Sequence, residues 1–312
     1  MLRYLFKQIA GMIPLLFLVS IAAFFMIRLL PGDPAAAYLN SVNAPLTEES
    51  LQEVREKMGL DQPVPVQYGK WLRDLFRGDL GASYQTNRPV VQELKTDLAY
   101  TAVLAASALV WVFIFSAILG ILSANRANRL ADTVIRGFTF LGAAMPKFWL
   151  GFLLVFLFSL KWKIFPVQGV SGISSLILPS FTLACSYIAT YTKLLRNSIL
   201  EAKNQPFAQF ARVRGFSKRA VMRRHILPNT LIPVFTTLGL HLGGILSGTV
   251  IVENVFSWPG MGRMCVDAVA ARDYPMIQGY ILLMSIIFVA ANLISDLVCA
   301  ALNPKIRLGV EK

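Results

Sequence analysis

The sequence predicts an all-α membrane protein with six transmembrane helices, and three observations carry that prediction. Of 312 residues, 55% are hydrophobic and only 15% charged, whereas a soluble domain carries about 25% charged residues. The charges leave long gaps, with none between Lys7 and Arg28, Asp97 and Arg126, Lys163 and Lys193, Arg224 and Glu253, or Asp273 and Asp296. Two shorter gaps flank Lys147, from Arg136 and to Lys161, and are counted as one span. A helix crosses the hydrocarbon core in roughly 20 apolar residues, so the gaps give six spans.

Residues 1–30 begin like a secretory leader, with Arg3 and Lys7 before an apolar run. The run is too long for a leader, and no small-residue cleavage site follows it. It is expected to stay as the first transmembrane helix. Residues 31–96 are too many for a bare connection and should be structured. Thr47 can cap a helix over about 48–58, with Glu48 and Glu49 in its first turn, where the helix dipole favours acids. Gly59 ends it. After Pro63 and Pro65, the residues Val66, Tyr68, Trp71, Leu72, Leu75 and Phe76 recur at near-helical spacing. That amphipathic face either packs on the spans or lies on the membrane. Residues 97–312 hold the other five spans. The third is expected as one helix over about 137–160. The fourth is trimmed to about 176–195, because Pro166, Gly169, Ser171, Gly172 and Pro179 interrupt the start of its gap. Cys185, Cys265 and Cys299 have no metal-ligand spacing and no framework of pairs.

The net charge of +13 follows membrane topology rather than nucleic acid. Cytoplasmic loops are enriched in Lys and Arg. Residues 193–224 hold Lys193, Arg196, Lys203, Arg212, Arg214, Lys218, Arg219, Arg223 and Arg224 against the single acid Glu201. The loop 125–136 holds Arg126, Arg129 and Arg136 against Asp132. In 31–96 the acids outnumber the bases. Both termini and the loops near 130 and 210 are therefore expected on the cytoplasmic side, and 31–96, 161–175 and 254–275 outside.

Catalytic patterns are missing. The sequence has no P-loop, no G-x-S-x-G and no H-E-x-x-H. Its two histidines, His225 and His241, exclude a multi-histidine metal site within the chain, and no tightly bound metal is expected.

The most informative stretch is the basic loop 197–229. It reads Gln209-Phe210-Ala211-Arg212-Val213-Arg214-Gly215 and, thirteen residues after the glycine, reaches Pro228 behind Ile226-Leu227. This resembles the EAA loop of ABC importer permeases, with Gln and Phe replacing the first Glu and Ala. The departure is typical of the dipeptide/oligopeptide/nickel branch. Arg28-Leu29-Leu30-Pro31-Gly32-Asp33-Pro34, Gly59-Leu60-Asp61-Gln62-Pro63, Gln67-Tyr68, Pro146-Lys147-Phe148-Trp149-Leu150-Gly151, Glu253 to Arg263, Arg272-Asp273-Tyr274-Pro275 and Asn303-Pro304-Lys305-Ile306-Arg307 resemble that branch in the same order. Lys147 departs from it, standing where small or polar residues are common.

The resemblance implies a type I ABC importer permease fold in a bacterial plasma or inner membrane. It implies a homologous second permease, two ATPase subunits that bind ATP and Mg, an extracytoplasmic substrate-binding protein and a lipid environment as partners, with no cofactor and no ATP hydrolysis in this chain. Pro206 and Gly215 bound a short helix over about 205–214. On it Phe207, Phe210 and Ala211 share a face, the expected apolar plug for an ATPase groove, with Arg212 and Arg214 pairing acids around it. Lys147 and His241 lie deep in two spans and are candidates for the pathway or for structural packing, as is the buried acid Glu253. His225 is expected as a hydrogen-bonding strut. The wording around His241 and the basic loop resembles nickel permeases most, so the expected cargo is nickel or a nickel chelate, with dipeptides or oligopeptides as the alternative. An ion-coupled secondary transporter acting alone is the rival from another class. Such carriers show internal repeats around an ion site, and neither is visible.

Overall fold

The computed structural model describes residues 2–29 and 32–302, with the backbone alone at 2–10, 41, 239, 240, 296 and 298–302. The side chains of Asp296 and Cys299, and the ending 303–307, lie outside the described residues. The described chain is helical, with a single isolated β-bridge between Ala82 and Pro89. Its helices are α1 (Leu2–Arg28), α2 (Pro34–Ser41), α3 (Glu48–Lys57), α4 (Val64–Phe76), α5 (Val90–Asn125), α6 (Leu130–Ala144), α7 (Lys147–Leu154), α8 (Ile173–Asn204), α9 (Pro206–Val213), α10 (Lys218–Val221), α11 (Leu227–Val255), α12 (Met261–Ala271) and α13 (Tyr274–Leu302), with π-helical turns at Val155–Lys161 and Met222–Ile226. Among the described residues, four helices are long and apolar enough to cross a membrane. Two bent pairs, Leu130–Ala144 with Lys147–Lys161 and Lys218–Leu238 with His241–Val255, raise the number to six if each is one span.

The third span corrects the sequence expectation. It is two helices bent by 107° at Met145-Pro146. Proline has no N–H for the helix ladder and drives the preceding residue into extended backbone. Met145 accordingly sits at ψ 127°. α8 is longer than expected. Gly172, at φ +107°, turns the chain into it, and Pro179 is tolerated inside. α5 starts at Val90, before the expected boundary at 97. The expected loop 254–275 contains α12.

The chain divides into two units, Met1–Thr101 with Pro259–Val289, and Ala102–Trp258 with Ala290–Lys312. In the first, residues 32–96 carry α2, α3, α4 and the start of α5, as the expectation of a structured segment required. Thr47 and Ser50 form a reciprocal cap on α3, and Asp33 caps α2 while pairing with Arg55 of α3. Tyr68 and Trp71 of α4 pack on Phe24 of α1, with ring centroids 5.1 and 5.7 Å away. Arg28 lies over the Phe24 ring and donates twice to Gln67 Oε1. Asp273 accepts from the Ser83 hydroxyl and from the Gln85 and Met276 amides. A β-carbon on Gly32 would overlap the Arg272 guanidinium. Several of the sequence signatures are thus one contact network.

In the second unit α8 is the axis, packed against α6, α7, α9 and α11. Its buried side includes Leu183, Ala184, Ile188, Leu195 and Ile199. Trp111 of α5 donates to Ser180, and Gly120 of α5 lets Leu195 approach.

Candidate functional site

Two constellations in the second unit bring the sequence candidates together. The first is the turn between α8 and α11. Gln205 leaves α8 in extended backbone (ψ 150°), and Pro206 opens α9 at its first position, where a missing N–H costs nothing. Gly215 closes it at φ +84°, the left-handed region that glycine enters freely. Ala208 and Ala211 are 0% and 4% exposed. They form the inner face of α9, which packs on α8, α10 and the π-helical turn. Phe207, Phe210 (63% exposed) and Val213 (86% exposed) turn outward. Ala211 is therefore not part of the exposed apolar face. Its small side chain serves close packing inside, and Val213 takes the outer position. Arg212 also points back, donating to the Lys203 carbonyl at 3.1 Å, while the Arg214 guanidinium lies 5.5 Å from the Phe210 ring centroid. His225 differs from the expected strut. Its Nε2 is buried without a hydrogen-bond partner among the described residues, and its ring meets Phe216 edge-on at 5.6 Å.

Behind α9 lies a lock that sequence reasoning missed. Asp132 is fully buried and receives both Arg196 Nε (2.8 Å) and Nη2 (2.7 Å), the Ser123 hydroxyl and the Asn128 amide. Lys203 Nζ donates to the Ala124 carbonyl at 2.7 Å. Together these bonds fasten the α8 end that leads into α9 to the α5–α6 turn. A lone acid among the bases of 125–136 was the available signal.

The second constellation surrounds Lys147. Pro146 places it at the first residue of α7, and Gly151 lets that helix close on Val255 at the end of α11 and on Phe256 just after it. Lys147 Nζ lies 5.2 Å from the centroid of the Tyr187 ring and occupies the space a β-carbon on Gly248 would need. No carboxylate pairs with it among the described residues. His241 Nδ1 and the Tyr191 hydroxyl are 3.2 Å apart, and the His241 ring also meets Tyr187 at 5.8 Å. Lys147, Tyr187, Tyr191 and His241 thus meet where α7, α8 and α11 join. Glu253 is fully buried near the end of α11, where Trp258 donates to its backbone carbonyl at 2.8 Å. The tyrosines were missed, although their spacing of four puts them on one helix face. So was Gly244-x-x-x-Gly248, the small-residue spacing that lets membrane helices approach.

The class follows from matches over both halves of the chain. Residues 116–308 match the binding-protein-dependent transport system inner membrane component, and residues 1–105 match the N-terminal membrane component of such systems. The chain belongs to this family and is a membrane-embedded permease subunit of an ABC importer. It is non-catalytic, and ATP is hydrolysed by partner ATPases. This removes the stand-alone secondary transporter. Among its relatives are the glutathione transport system permease proteins GsiC of Escherichia coli K12 (38% identical over 98% of this chain and 99% of theirs) and of Salmonella choleraesuis (37%, the same shares). Two solved structures share the fold. They are an amino acid ABC transporter with histidines (TM-score 0.53, 16% identity, 68% of this chain and 92% of that one) and the inward-facing MetNI methionine ABC transporter (TM-score 0.50, 14% identity, 69% and 96%).

Proposed function

We propose that this chain forms half of the translocation pathway of an ATP-driven importer of small peptides. A homologous second permease supplies the other half, two ATPases bind ATP and Mg, and an extracytoplasmic binding protein delivers the cargo. Both termini and the loop 197–229 face the cytoplasm, and residues 31–96 face outward.

The exposed stripe of α9 carries the coupling part of this reading. Phe207, Phe210 and Val213 stand on a short helix held at both ends by Pro206 and Gly215 and fastened to α8 through Arg212. Such an element can seat in an apolar groove of an ATPase and pass its movement to α8. The cargo part rests on the relatives named for glutathione, a tripeptide with two carboxylates, and on Lys147. An ammonium at membrane depth with no carboxylate beside it suits a passing carboxylate. The relatives give the nickel expectation no support, and we propose peptides in its place. His241 makes a secondary contact, and Glu253 holds the end of α11.

Phe210→Asp tests the coupling. In the reconstituted complex it should leave insertion and folding intact. Buried in an apolar groove without a partner, the new carboxylate costs several kcal/mol, so ATP hydrolysis should separate from uptake. Full ATP-driven uptake by this variant would remove α9 from the mechanism.

A further inference from the structure

α6, α8 and Ser123 of α5 line an open-sided cavity of about 660 Å³. Ala143, just before the bend that leads to Lys147, lines one end, and Arg136, Lys193, Arg196 and Asn197 line the other. Along α8 its lining runs from Ala189 to Asn197, toward the end of the helix that leads into α9. The volume falls in the range of about 300–1,000 Å³ typical of small-molecule sites.

Its charges do not cancel. Arg196 is taken up by the bidentate pair with Asp132. Arg136 reaches the same carboxylate only at 3.8 Å, with 55% of its side chain exposed. Lys193 is exposed and has no salt bridge among the described residues. Three cations thus face one acid. The Thr192 hydroxyl, on the same wall, is buried without a hydrogen-bond partner among the described residues. A concave wall with unbalanced positive charge concentrates anions.

We propose that this cavity is a second carboxylate-binding step for the cargo, with Lys193 and Arg136 as its contacts, and that it biases the pathway toward anionic peptides. The proposal rests on the peptide reading above. A carboxylate leaving Lys147 meets cations again before the α9 end of α8. Two weak sites in series let a cargo enter and leave, where one tight site would hold it.

The test uses the full complex in proteoliposomes, with uptake of Ala-Ala, Ala-Glu and Ala-Lys measured for wild type, Lys193→Glu and Arg136→Glu. Each variant's uptake ratio is compared with the wild-type ratio, which cancels the preference of the binding protein. The Ala-Glu to Ala-Ala ratio should fall by about tenfold in each variant, with Ala-Lys gaining, and Lys193→Gln should lie between. Unchanged ratios with all three peptides still taken up would overturn the proposal while leaving the peptide reading intact. The phosphate of an anionic lipid could meet the same cations. Uptake that depends on phosphatidylglycerol content in wild type, loses that dependence in the variants and keeps its peptide ratios would assign the cavity to lipid and overturn the proposal. A wild-type complex that takes up none of the three peptides would overturn the reading beneath it.

Discussion

Asp132→Asn isolates one partner of the buried lock between α5, α6 and α8. The carboxamide would keep the shape of the side chain but only one acceptor oxygen, serving either Ser123, now on Oδ1, or the Asn128 amide, now on Oδ2. It would leave Arg196, whose side chain is 13% exposed, charged and without its carboxylate. Removing one partner of a buried ion pair costs about 3–5 kcal/mol, because the remaining charge stays desolvated. Replacing both partners with apolar groups of similar volume costs much less. Thermal unfolding of the detergent-solubilised complex should therefore show Asp132→Asn and Arg196→Gln each well below wild type. Asp132→Leu with Arg196→Met should recover most of the loss. Because the lock fastens α8 just before α9, the single variants should also hydrolyse more ATP per peptide taken up. A midpoint for Asp132→Asn within a degree of wild type would mean that the Asp132–Arg196 pair does not hold these helices together.

Gly215 stands at φ +84° with open space around it, so Gly215→Ala should cost about 1–2 kcal/mol of backbone strain and weaken coupling, while Gly215→Asn should do less harm, as ATP-to-uptake ratios will show. Gly248→Ala inserts a methyl where Lys147 Nζ lies; the flexible ammonium should move aside, leaving assembly intact and lowering peptide uptake, a split that co-purification and transport assays can read. Single cysteines at Gln52 and Gln92, both exposed, should react with an impermeant reagent from outside, and one at Lys218 should not; the reverse pattern would invert the orientation. Burial raises the Cys265 thiol to about 11, so in α12 it should label slowly near neutral pH and faster as the pH rises toward that value, because only the thiolate reacts.

The spans were legible because the hydrocarbon core dictates composition and length, and α9 because proline and glycine mark its ends. The cap at Thr47 was local and therefore readable too. What stayed hidden depends on partners distant in sequence. Pro146 signalled a break, but a 107° bend is set by how α7 packs on α8 and α11. The pairing of Asp132 with Arg196 joins residues 64 apart, and no local pattern points from one to the other. Helical spacing put Phe207, Phe210 and Ala211 together, yet spacing cannot say which side of a short helix is inward. Packing settled that, burying the two alanines and exposing Phe210 and Val213. For the same reason Lys147 was visible as a cation at membrane depth, while the tyrosines that frame it emerged only with the packing of α8.

The most direct measurement is peptide uptake into proteoliposomes holding this chain with its second permease, the ATPases and the binding protein, set against the same chain alone. Uptake of a labelled small peptide should need ATP, the binding protein and every subunit, and should fall away when α9 carries Phe210→Asp. Uptake by this chain alone without ATP, or full ATP-driven uptake by the complex with Phe210→Asp, would contradict this.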